Sequence, residues 1–174
     1  DYTLKPTEID LKKFIKKDEM VLEVDADEVS KFYEMIDHFK ASEPIRQGAK
    51  NMMLINYYID NKRQDKIKDI IEHHYGDEFH IIVYNQKTGN WIGNVLDEEK
   101  YRGDDKPIII ISKNCAKQGV TFKPSNSSYL EQIPGLTHFA NNFNMTAEGS
   151  HEEALIQNLR PNGWYLGDHK VTIY

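Results

Sequence analysis

Apolar positions in the first half of this 174-residue chain recur at helical spacing, and in the second half they bunch into short runs. Thr7 can cap a helix to about Lys17, with Ile9, Leu11, Phe14 and Ile15 inward and a mainly basic outer face. Residues 20–24 read as a strand. Asp25 or Asp27 can cap the next helix, where Val29, Phe32, Tyr33, Ile36 and Phe39 form one stripe. Pro44 suits the first turn of another helix, carrying Ile45, Ala49, Met52, Met53, Ile55 and Tyr57 to about Ile59. Ile67, Ile70, Ile71 and His74 mark a further helix that Gly76 ends.

The period then changes. Residues 79–84 and 91–96 read as the two strands of a hairpin around the turn at 86–90. Residues 108–111, four consecutive isoleucines, are the most apolar run and the expected central strand. Residues 120–122 read as another strand, 124–149 as mostly ordered loop, and 154–174 as a closing hairpin turning at 160–163. These elements predict an α+β fold, with a helical N-terminal half packed on a mainly antiparallel sheet formed by the C-terminal half. No linker divides the chain, so 1–174 reads as one domain. Its start at Asp1 leaves room for excision from a longer chain. Two His-to-Asp stretches, 80–97 and 151–168, share their spacing, which two hairpins of similar size produce without a true repeat.

Charge and cysteine content narrow the function classes. Twenty-eight acidic against twenty-two basic side chains give a formal charge of −6. No basic stretch is interleaved with aromatics, which argues against a nucleic-acid surface. Lys12, Lys13, Lys16 and Lys17 are the densest cluster, and they read as a solvated helix face. No apolar run approaches the ~20 residues that cross a bilayer, so no membrane partner is expected. The single Cys115 rules out an internal disulfide framework and points to a reducing, cytoplasmic setting. In such a setting the sequons at Asn126 and Asn144 carry no meaning.

Cys115 is also the one thiol available for nucleophilic catalysis, which needs a histidine base and an acid to orient it. It follows the isoleucine run between Lys113 and Lys117, whose charge favours a thiolate. The plain alternative is an inert cysteine at a strand end. The hairpin expected at 80–96 would bring His80 to Asp97 and supply a base and its orienter. Residues 80–83 and 92–97 locally resemble the His and Asp strands of the Ulp- and YopJ-type cysteine proteases and acetyltransferases, over about twenty residues. That resemblance implies a Gln and then a Cys-Gly opening an apolar helix. Here Gln118 follows Cys115, and Ala116 follows it directly.

A second ordering, Cys115 then His151 then Asp168, is similar to that of papain-fold hydrolases and deamidases. That fold, however, opens a long buried helix with its cysteine, which Ala116-Lys117-Gln118-Gly119 does not suit. His73, His74, Asp77 and His80 are metal-ligand types, but no pair has the i,i+4 spacing of a helical zinc motif, and His74 fits the apolar stripe. No phosphate loop or dinucleotide fingerprint is present, so no cofactor and no metal are expected. Two functions follow as expectations. One is a cysteine-dependent hydrolase or acyl-transfer enzyme acting on a protein, with Cys115, His80 and Asp97, or alternatively His151 and Asp168, as its residues. The other is a non-catalytic protein-binding module using some of the ten tyrosines as anchors.

Overall fold

The computed structural model describes residues 2–4, 15–17, 22–24, 26–56, 61–112, 121–141 and 171–174. Its strands are β1 (Tyr2–Leu4), β2 (Ile15–Lys17), β3 (Leu22–Val24), β4 (Met52–Asn56), β5 (His80–Tyr84), β6 (Ile108–Ser112), β7 (His138–Asn141) and β8 (Val171–Ile173). Its helices are α1 (Ala26–Ala41), α2 (Asn61–Tyr75), α3 (Ile92–Leu96) and α4 (Glu99–Arg102).

Six strands form one sheet in the order β1-β8-β7-β4-β6-β5, and every neighbouring pair in it is parallel. The expectation of a mainly antiparallel sheet from the C-terminal half is therefore corrected. Among the described residues only β2 and β3 pair antiparallel, in a separate two-stranded unit. β4 and β5 come from the first half of the chain, α2 lies between them, and α3 and α4 lie between β5 and β6, as crossovers between parallel strands need.

The physical cause is burial on both faces. Met53, Ile55, Ile109 and Ile111 pack against Phe32, Ile36 and Phe39 of α1 and Ile67 and Ile71 of α2. Met52, Leu54, Ile108 and Ile110 point the other way, onto Ile92 and Leu96 of α3, Phe122 and Leu136. A strand covered on both sides reads as a continuous apolar run, not an alternating one. For the isoleucines of β6, fully buried between β4 and β5, that reading holds.

The same physics overturns other expected elements. Residues 52–56 were expected in a helix and instead form β4, because a five-residue apolar run fits a buried strand as well as a helix. The hairpin over 80–96 does not form. β5 pairs parallel with β6, residues 86–88 make a 3-10 turn capped by Asn85, and 92–96 are helical. Ile92, Val95 and Leu96 stand at i, i+3 and i+4, and all are buried. Ile15–Lys17 is a strand, the expected loop over 124–149 contains β7, and residues 121–122 lie outside any strand. Of the expected closing hairpin, residues 154–170 lie outside the described residues, and β8 lies parallel to β7. α2 appears where its stripe placed it, ended by Gly76 in the left-handed region at φ 65°. Tyr75, not His74, is the buried residue of its last turn.

Candidate functional site

The sequence-derived candidates fall at different places. His80 opens β5, in register with Ile108, at the amino edge of the sheet. Its Nε2 lies 2.9 and 2.8 Å from the two carboxylate oxygens of Asp104, an acid the sequence reading did not select. Lys50, buried, donates its Nζ to Asp104 Oδ1 at 2.7 Å and to the Tyr101 carbonyl at 2.6 Å. The Tyr101 ring meets His80 edge-on at 5.4 Å. Burial alone would raise the Asp104 carboxyl, but the hydrogen bonds from Lys50, His80 and the Lys106 backbone outweigh it and hold the group well below the usual carboxylate range.

Asp97 has other partners. It caps the carboxyl end of α3, its carboxylate accepts from Asn126 N at 3.0 Å, and its carbonyl accepts from Arg102. With 92–96 helical, the pairing that would have carried Asp97 to His80 is absent. Cys115, His151 and Asp168 lie outside the described residues. The residues of metal-ligand type separate as well, since His74 stacks on Tyr33 at 3.8 Å while His80 engages Asp104. Among the described residues no group of three or more His, Cys, Asp or Glu side chains is placed to hold a metal.

A different constellation stands at the opposite, carboxyl edge. β4, β6 and β7 each end an apolar run on a polar residue, in Met-Met-Leu-Ile-Asn56, Ile-Ile-Ile-Ile-Ser112 and His-Phe-Ala-Asn141. Strand register sets the three side by side, Asn56 opposite Ser112 on one flank and Asn141 on the other. Asn56 and Ser112 are buried.

Gln64 of α2, also buried, braces this edge. Its Nε2 donates to the carbonyls of Tyr84 at 3.1 Å and Ile111 at 3.0 Å, and its Oε1 accepts from Asn85 Nδ2 at 3.0 Å. α2 starts here with Asn61, Lys62 and Arg63, and its first turn holds no acid. The positive end of the helix dipole and two cations therefore share one corner. Asn61 Oδ1 is shielded from water and finds no hydrogen-bond partner among the described residues. A buried acceptor without a partner calls for a specific reason.

The topology makes this edge a candidate site. Out of β4 the chain runs through α2 to β5, on one side of the sheet order, whereas out of β7 it proceeds to β8 on the other. β4 and β7 are neighbours, so the strand order reverses between their carboxyl ends, the kind of position where open parallel sheets bind ligands. Sequence reasoning missed the site because it looked for nucleophiles and ligand clusters. The available signal was three apolar runs each ended by Asn or Ser. Scanned against family models, the chain matches none, and compared with curated proteins and with solved structures it likewise finds no match.

Proposed function

We propose that this domain binds a small hydroxylated anion, of the sugar-phosphate or nucleotide class, at the carboxyl edge between β4 and β7. The observation that carries the reading is the in-register row of Asn56, Ser112 and Asn141 at the carboxyl ends of three neighbouring strands. Asn61 Oδ1 needs a donor such as a ligand hydroxyl, and the acid-free first turn of α2 favours anionic oxygens. A cysteine-dependent hydrolase or acyl-transfer activity on a protein substrate, with Cys115 as nucleophile, is a separate reading. Cys115 follows Ser112 by three residues in the sequence. Protein binding has less support, because Trp91 is the one large apolar side chain exposed among the described residues.

The test is thermal unfolding with a panel of inorganic phosphate, sugar phosphates and nucleoside phosphates. A ligand at a hundred times its Kd stabilises by about 2.7 kcal/mol, enough to raise Tm by a few degrees. The reading expects at least one member of the panel to do so, and expects Asn56→Leu and Asn61→Ala to abolish the shift. A shift that both variants retain places the ligand elsewhere. No shift from any member removes this class of ligand.

A further inference from the structure

Two histidines, His138 buried in the sheet and His38 exposed on α1, join the end of that helix to the sheet. His138, which opens β7, is 4% exposed and lies T-shaped to His38 of α1, with ring centroids 6.4 Å apart. Its Nε2 is 3.0 Å from Ser42 Oγ, just past α1, and its Nδ1 is 2.8 Å from Thr137 Oγ1. Ser42 Oγ lies 2.7 Å from the His38 carbonyl, and Thr137 Oγ1 lies 3.1 Å from the Met52 carbonyl. His38 Nδ1 hydrogen-bonds the hydroxyl of Tyr174, whose ring stacks on His138. The Tyr174 backbone is bonded to Phe139 in β7.

Proton counting sets how this cluster responds to acid. A neutral imidazole carries one N–H, and each hydroxyl carries one proton. Four contacts are therefore shared among three protons: His138 to Ser42, Ser42 to a carbonyl, His138 to Thr137, and Thr137 to a carbonyl. A second proton on His138 would complete the chain, with both ring nitrogens donating and both hydroxyls passing their protons to carbonyls. Protonation thus breaks no hydrogen bond here. Its penalty is the burial of a charge beside a second histidine.

We propose that His138, packed beside His38, forms an acid-sensitive latch, which holds the last turn of α1 against β7 and the chain beyond β8 at neutral pH and opens when His138 takes up a proton. Among the described residues, the titratable groups facing His138 are His38 from α1 and Tyr174 from the segment after β8. Phe39, Ser42 and Thr137 complete its surroundings, and no carboxylate is among these contacts to offset a positive charge. Burial, with the charge on His38 adding to it, pulls the His138 imidazole down to about 3. The sign follows from linkage. With its folded value below the unfolded ~6.5, His138 contributes its stability in full above that value, and loses it as pH falls from there toward about 3.

Amide hydrogen exchange on the whole chain, corrected for intrinsic rates, tests this between pH 7.5 and 4.5. The opening equilibrium at residues 36–41 and 172–174 should rise by up to tenfold per pH unit below ~6.5, one proton being taken up on opening. Amides of β4 and β6 should change less, and His138→Gln should flatten the dependence at 36–41. If that variant does not fold, NMR titration of the His138 ring in the unaltered chain decides, with no titration of the folded ring expected above pH 4.5. An ordinary titration near 6.5 with protection intact would overturn the latch. So would an equal loss of protection across β4, β6 and α1, or an unchanged profile in the variant.

Discussion

Asp104 holds together a loop by accepting hydrogen bonds from the buried Lys50 ammonium, the His80 ring and the Lys106 backbone. The Lys50 side chain is 4% exposed and its Nζ reaches the Asp104 carboxylate. Removing one partner of a buried pair costs about 3–5 kcal/mol, chiefly because the other charge stays desolvated. Asp104 is itself 37% exposed, so water screens part of that loss, and Asp104→Asn should destabilise the fold by about 1–2 kcal/mol at pH 7. Because its carboxyl lies below its unfolded value, this stability is present above about pH 4 and is lost as pH falls further. Urea unfolding of the two proteins at pH 7 and pH 3 checks this, and the gap should shrink at pH 3. His80 was legible in the sequence as a polar residue at a strand start. Its partner was not, since Asp104 is twenty-four residues away and meets it only through the parallel crossover.

At the scale of elements, periodicity located segments better than it assigned their type. α1 and α2 showed their stripes because each packs one face on the sheet and leaves the other to water. β4 did not reveal itself, because Met52 to Ile55 is buried on both sides and carries no alternation. In α3, Gly93 sets the approach between the helix and the segment after it. A Cβ there would meet Ser125 Oγ at 2.4 Å and the Lys123 carbonyl at 3.0 Å. The serine side chain can rotate away, but the backbone carbonyl has less freedom. Gly93→Ala should therefore destabilise by about 1–3 kcal/mol despite the better helix propensity of alanine. Denaturant unfolding measures it, and a stabilised variant would show that residues 123–125 yield readily.

For the whole molecule, the parallel order relocates the chemistry. An antiparallel hairpin would have brought the beginning of one strand to the end of the next, and on that geometry His80 and Asp97 met. In a parallel sheet all strand starts share one edge and all ends share the other. His80 therefore stands four residues along the sheet from Ser112, or about 13 Å. Polar residues gathered at the carboxyl edge were legible as strand terminators but not as a site, since their alignment depends on a strand order the sequence did not reveal.

The proposal that this edge binds a hydroxylated anion is tested most directly by side-chain amide NMR on Asn- and Gln-labelled protein, titrated with the sugar and nucleoside phosphates. The account predicts that Asn56, Asn61, Gln64 and Asn85 shift together and saturate at one Kd, while Asn51 at the amino edge stays still. Saturable shifts at Asn51 with the carboxyl-edge amides unmoved would contradict it, as would a full panel that moves none of them.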